Sequence, residues 1–220
     1  MFTSLPSQRA QRQGECNGFL FFTTRRTHPT NTPSTLPSID GGQHAEHLHG
    51  APVRLLVPGW SGNWSVKWIT DLEITEKMPE CWYHYEFYYY GNSVDDPNKE
   101  LITTLGVKSI ITQPNDDVEK MTKGVQMIRG YAWSGAGAIS EVDVSTDGGE
   151  TWNSAHIEAP RHDQFMWVRW SYQWNADKSG DYTLMARAAD DVGRVQSREP
   201  RYNNMRKNFS AIVGYPITVE

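Results

Sequence analysis

The segment that most constrains this chain is 130–152, GYAWSGAGAISEVDVSTDGGETW. Val142 and Val144 alternate with Asp143 and Ser145, the period of two expected of a strand with one buried and one wet face. Asp147-Gly148-Gly149 then closes the strand. Glycine takes the positive φ that a tight turn demands, and an aspartate can hydrogen-bond the backbone two residues on. Upstream, Gly130, Gly135 and Gly137 surround Trp133, which predicts a bent backbone around a buried indole. The reading is a β-hairpin within a sandwich.

The pattern stays regular from residue 105 onward. Candidate strands are 107–112, 125–133, 139–145, 152–158, 164–174, 180–189 and 212–219. Between them lie turn signals at Asn115-Asp116-Asp117, Asp147-Gly148-Gly149, 177–180 and 190–193. Short strands at such spacing predict a two-sheet antiparallel sandwich of immunoglobulin-like type over 105–220. Cys16 and Cys81 are the only thiols, so no disulfide framework or thiolate zinc site is expected. The core then rests on residues such as Trp133, Val142, Trp167, Trp170 and Leu184, each contributing about 1.5–3 kcal/mol by burial. Nine Trp and ten Tyr suit such a sheet-rich chain.

Residues 1–46 are rich in Gln, Arg, Thr, Ser, Pro and Gly and show neither helical nor strand periodicity, which predicts poor order. The apolar run 18–22 makes a short strand at best; it is too brief for a signal segment and Arg25-Arg26 follow it. Over 47–104, short strands are expected at 53–57, 65–69 and 71–74. The insert 80–101 carries consecutive aromatics that do not alternate and reads as a surface loop or an interface segment. A net charge of −5 gives no footprint for nucleic acid, and no run approaches the length of a membrane span. The default is a soluble protein, cytoplasmic or exported.

Two clusters offer chemistry. His44, His47 and His49 form an HxxHxH set that either holds a metal or is a polar linker with solvated imidazoles. His49, Arg54 and Lys67, beside the glycine turns at Gly59 and Gly62, form an anion cradle. Arg54 would give a forked contact and Lys67 a point charge. The alternative is ordinary exposed strand charges.

HGAPVRLLVPGWSGNWSVKWI resembles the closing segment of the molybdopterin-binding domain of the sulfite oxidase family, notably bacterial sulfite and sulfane dehydrogenases. GYAWSGAGAISEVDVSTDGGETW, WVRWSYQW and RAADDVGRVQ resemble that family's immunoglobulin-like dimerisation domain, in family order and mutual spacing. The resemblance implies a mainly β chain: an immunoglobulin-like sandwich at 105–220, preceded at 47–104 by a remnant of an α/β molybdopterin-binding domain. It implies a molybdenum-molybdopterin cofactor with His49, Arg54, Ser65, Val66 and Lys67 contacting the pterin and its phosphate. It further implies Cys16 as a vestige of the metal's thiolate ligand, unless Cys16 is a free thiol, and Arg206 as the arginine that reaches toward the substrate anion, unless it is an ordinary surface residue.

In complete relatives the resemblance implies oxidation of a sulfur oxyanion by oxygen-atom transfer. The family's CxGN-like motif has only Glu15-Cys16-Asn17-Gly18 to match it, too close to His49 for the intervening elements. The expectation is therefore a truncated oxidoreductase that pairs as a homodimer through its sandwich, with a full-length relative or an electron acceptor as further partner. The rival is a non-catalytic interaction module that uses its aromatic face, including 83–90. A carbohydrate-binding sandwich using Trp60, Trp64 and Trp68 is a third reading, with Trp64 and Trp68 four apart on one strand face.

Overall fold

Most of the alternation read from the sequence becomes strand, in a computed structural model that describes residues 21–26, 47–51, 54–75, 86–93, 95–114, 120–158 and 165–220. The chain divides into two units, Met1–Val53 with Lys67–Glu80, and Arg54–Val66 with Cys81–Glu220. In the first unit, β1 (Phe21–Arg26) pairs antiparallel with β2 (Ile69–Thr75), with a register irregularity between Arg25 and Arg26. Part of the segment expected to be poorly ordered is thus a strand, because its Phe-Phe-Thr-Thr run finds a partner far along the chain. The rest of 1–46 lies outside the described residues. The strand expected at 71–74 is β2, which takes only Ile69 from the strand expected at 65–69; Ser65 instead follows a 3-10 turn at Gly62–Trp64. The part of 53–57 that is described, 54–57, holds no strand.

The second unit holds the short hairpin of β3 (Tyr89–Tyr90) and β4 (Glu100–Leu101) and then the sandwich. Its strands are β5 (Lys108–Gln113), β6 (Lys120–Met121), β7 (Gly124–Trp133), β8 (Ile139–Ser145) and β9 (Asn153–Ser154). There follow β10 (His156–Glu158), β11 (Val168–Ala176), β12 (Gly180–Asp190) and β13 (Gly214–Val219). One sheet has the order β10-β11-β7-β5, the other β6-β13-β12-β8-β9. All pairings are antiparallel except β6 with β13. The inward residues of both sheets, among them Ile128, Trp170 and Trp174 from one and Val142, Val144, Leu184 and Ile217 from the other, form a single buried cluster. The predicted strand 152–158 divides at Ala155, with β9 pairing in the second sheet and β10 in the first. The chain changes sheets there while the Ala155 N–H still donates to the Val142 carbonyl at 2.8 Å.

Two expected core residues are not in the core. Trp167 is 58% exposed and Trp133 is half-buried, the two indoles stacked with centroids 4.5 Å apart. Parity explains both: Ala132 and Trp170 point inward, so residues an odd number of steps away face out. Gly130 consequently serves a different indole from the one expected. A Cβ there would lie 2.0 Å from the Ile110 carbonyl oxygen and 2.3 Å from the Trp170 ring. Ser145 departs from the expected alternation and is fully buried, because its hydroxyl donates to the Asp147 carboxylate at 2.6 Å and accepts from the Gly149 N–H at 2.8 Å. Asp147 reaches past the turn rather than two residues on, accepting from the Glu150 and Thr151 N–H groups at 3.0 Å each. Gly148, at φ +77°, supplies the left-handed backbone of that turn.

No disulfide joins the sheets, and buried polar side chains link them instead. The Gln196 side-chain oxygen accepts from the Ser109 N–H of β5 at 2.8 Å and the Ala188 N–H of β12 at 3.2 Å. At the end of β7 the Ser134 hydroxyl donates to the Asp190 carboxylate of β12 at 2.7 Å. Asp190 also accepts from the Arg194 guanidinium and backbone N–H, each at 2.8 Å, and its side chain is 0% exposed. Burial pushes the Asp190 carboxyl up, but the Ser134 hydroxyl and Arg194 outweigh it and hold the group below the ordinary carboxylate range.

A folded pKa depressed in this way adds stability that is present above the unfolded value, about 3.9, and is lost as pH falls through the folded value. Asp190→Asn should cost about 2–3 kcal/mol at neutral pH and flatten the decline below about pH 4. Thermal unfolding measured across pH tests this; an unchanged acid limb would show that Asp190 does not set it. Gly130→Ala should cost about 3 kcal/mol by overpacking, more than Gly148→Ala, where strain alone acts at about 1–2 kcal/mol. Urea unfolding of the two variants checks the order.

Candidate functional site

The segment Arg54–Val66 is broken by Pro58 and Gly59, so it does not run as a regular strand. It is fastened instead to the stretch 102–105. The Ser61 N–H donates to the Thr103 carbonyl at 2.7 Å and the Leu105 N–H to the Gly59 carbonyl at 2.8 Å. Trp64 is buried with its indole N–H on the Ile102 carbonyl at 2.8 Å, and Trp60 meets it edge to face at 5.2 Å. These tryptophans anchor a loop, so the carbohydrate platform loses its premise. Trp64 belongs to a 3-10 turn, not to a strand face shared with Trp68.

The proposed cradle residues fall in both units. Arg54, Ser65 and Val66 belong to the second. There the Leu55 N–H donates to the Val66 carbonyl at 2.8 Å, and the Ser65 hydroxyl accepts from the Val57 N–H at 3.2 Å. The first unit holds His49 and Lys67. His49 ends an exposed 3-10 turn, His47–His49, which Lys67 braces by donating from Nζ to the Leu48 carbonyl at 2.7 Å. Trp68 supports the same turn, its indole N–H donating to the His47 carbonyl at 2.8 Å. Of the expected metal-binding histidines, His44 lies outside the described residues, and no cluster of His, Cys, Asp or Glu able to hold a metal occurs among those described. Cys16 also lies outside them.

Arg206 sits exposed at φ +51° on a loop that its neighbours hold firmly. Buried Asn203 accepts from the Lys207 N–H at 2.7 Å and donates to the Lys207 carbonyl at 2.7 Å. Lys207 places its ammonium 4.5 Å from the Tyr88 ring, and Arg201 its guanidinium 3.9 Å from Tyr90 while pairing with Glu100 at 2.7 Å. Asn208 donates to the Tyr90 hydroxyl at 2.9 Å and to the Thr104 carbonyl at 3.2 Å. The loop bearing Arg206 and the segment bearing Arg54 are therefore both tied to 102–105. The described aromatics of the insert do alternate: Tyr89 is 2% exposed, while Tyr88 and Tyr90 face these cations. Arg201, Lys207 and Asn208 escaped notice in the sequence, because a Tyr–cation pairing more than a hundred residues apart leaves no local pattern. The rest of 83–90, from 83 to 85, lies outside the described residues.

Comparison with known proteins decides the family. The model of the Mo-co oxidoreductase dimerisation domain matches residues 99–212, more than half of the chain, and that of the oxidoreductase molybdopterin binding domain matches 41–83. The chain belongs to the sulfite oxidase-type molybdopterin oxidoreductases. The crystal structure of sulfane dehydrogenase SoxCD from Paracoccus pantotrophus is similar at TM-score 0.64 and 34% identity, over 76% of this chain and 44% of that one. Mitochondrial sulfite oxidase of Rattus norvegicus is 34% identical over 70% of this chain and 30% of its own length. Nitrate reductase (NADH) 2 of Phaseolus vulgaris is 31% identical over 77% of this chain and 22% of its own. The chain thus spans less than a third of either curated relative. Among the described residues no helix is long and apolar enough to cross a membrane.

Asn203→Ala removes both bonds that close the Arg206 loop. A loss of about 1–3 kcal/mol and faster amide exchange at Arg206 and Lys207 are expected. Hydrogen exchange read by NMR checks this; unchanged protection would mean the Tyr88 and Tyr90 contacts alone hold the loop.

Proposed function

We propose that this chain combines a dimerisation sandwich with part of a molybdopterin-binding domain, and serves a molybdenum-dependent oxidation of a sulfur oxyanion. The observation that carries the reading is the molybdopterin-binding match over 41–83, the stretch that contains His49, Arg54, Ser65, Val66 and Lys67. The donor chemistry fits the anionic end of such a cofactor. Arg54 offers a forked guanidinium, and the Lys67 ammonium has spent one of three donors on Leu48. Ser65 keeps its hydroxyl proton available while its oxygen accepts from Val57.

The molybdenum centre, when bound, would supply oxygen-atom transfer. The chain's own residues would do the holding. His49, Arg54, Ser65, Val66 and Lys67 would contact the pterin and its phosphate, Arg54 through a forked guanidinium and Lys67 as a point charge. Cys16 is the proposed thiolate ligand and Arg206 the cation that meets the substrate anion. The homodimer would form through the sandwich, with an electron-accepting protein or a longer relative as further partner.

A second reading, a non-catalytic pairing module, is favoured by the exposed large hydrophobic side chains of Phe165, Met166 and Trp167 beside a well-packed sandwich. Metal analysis by mass spectrometry with pterin fluorescence after oxidative release separates the two. Stoichiometric molybdenum and pterin from a host that makes the cofactor support the first reading, and their absence supports the second. Arg54→Ala should lower retained pterin at least about tenfold with the melting temperature unchanged. A variant that unfolds instead would show Arg54 to be structural.

A further inference from the structure

The segment Arg54–Val66 is a loop closed at its base and seated at its tip. At the base the Leu55 N–H donates to the Val66 carbonyl at 2.8 Å and the Val57 N–H to the Ser65 hydroxyl at 3.2 Å. At the tip the chain turns at Gly59, whose φ of +76° is left-handed, and the Trp60 N–H donates back to the Val57 carbonyl at 3.2 Å. Gly59 also stands where separate stretches of backbone meet. Its carbonyl accepts from the Leu105 N–H at 2.8 Å, and the Leu105 carbonyl accepts from the Gly135 N–H at 3.2 Å. The ring of Phe165 closes this junction. A Cβ on Gly59 would lie 2.5 and 2.7 Å from two carbon atoms of that ring, so the phenyl group rests directly against the glycine. Phe165 is 44% exposed and lies just before β11, in the same stretch as Trp167, which stacks on Trp133. A phenylalanine that exposed adds little to the sandwich core; what it touches is the corner of the site-bearing loop.

We propose that Phe165 is a positioning residue: it holds the Gly59 corner against 102–105 and thereby presets Arg54 and Ser65 for an anionic ligand. The inference rests on the molybdopterin reading above for the identity of that ligand, and on the loop geometry alone for the holding. The ring removes water from one side of a junction whose backbone bonds would otherwise compete with solvent. It reaches van der Waals contact with the corner only because Gly59 carries no side chain. The link from corner to site is short: Trp60 bonds Val57, Val57 bonds Ser65, and Leu55, beside Arg54, bonds Val66. A loop fixed before its ligand arrives loses its conformational entropy on folding, not on binding, and so binds more tightly.

Amide hydrogen exchange and cofactor content of the full chain, produced in a host that makes the cofactor, test the proposal. Phe165→Ala should speed exchange at Ser61, Trp64 and Leu105 about tenfold and lower retained pterin about tenfold. Ala188 and Gln196, whose amides are bonded within the sandwich, should stay as protected as before. Phe165→Tyr, which keeps the ring, should restore both readouts. Val125→Ala, 65% exposed on β7, should change neither. If Phe165→Ala misfolds, as lost protection at Ala188 and Gln196 would show, Phe165→Leu replaces it and should give a smaller loss of both. Unchanged exchange at Ser61 and Leu105 would overturn the holding, whatever the pterin content. Faster exchange with full pterin retention would overturn the positioning role, since the order of the loop would not serve the site. A wild type without pterin would overturn the molybdopterin reading; loop exchange that still rises in Phe165→Ala and recovers in Phe165→Tyr would then support Phe165 as the holder of the loop.

Discussion

The buried carboxylate of Asp190 is the constraint on which the sandwich depends. A charged group without solvent contact is tolerated only when its oxygens are bonded, and here a hydroxyl from the end of one sheet and a guanidinium from the following loop bond them. That arrangement sets where β7 ends relative to β12. Gln196 repeats the device three residues after the turn, joining the backbones of β5 and β12. With no disulfide between the sheets, apolar burial supplies the driving force and these polar links supply the alignment.

That alignment reaches the candidate site. Ser134 leads into Gly135, whose N–H donates to the Leu105 carbonyl at 3.2 Å, and Leu105 in turn donates to Gly59. A Cβ on Gly59 would come within 2.3 Å of the Gly135 oxygen, so the loop bearing the site can approach only because both positions are glycine. The cradle segment, the Arg206 loop and the sheet clamp therefore share one backbone stretch, 102–105. Changes at the clamp should be felt at the loops, because both are bonded to the same backbone stretch.

The same geometry separates two surfaces of the domain. The loops bearing Arg54 and Arg206 are bonded to 102–105, while stacked indoles occupy the outer face of a sheet. Exposing Trp167 costs solubility unless something covers it, whereas Trp170, three residues on, fills the core. One short stretch thus buries one indole and exposes another, as period-two alternation permits.

The sequence by itself determined the strands with clean alternation, such as 139–145 and 180–189, and the family, because local periodicity and ordered motifs are properties of neighbours along the chain. It also marked the Asp147 turn, since Asp-Gly-Gly is local chemistry. Which aromatics are inside was not legible. Trp133 and Trp167 look as buriable as Trp170 until strand boundaries fix their parity, and a one-residue shift moves a side chain across the sheet. Only the tertiary structure paired Phe21–Arg26 with Ile69–Thr75, turned Trp64 into an anchor, and brought Lys207 and Arg201 onto Tyr88 and Tyr90. Those contacts join residues distant in sequence, and they are selected by packing and hydrogen-bond satisfaction rather than by local preference.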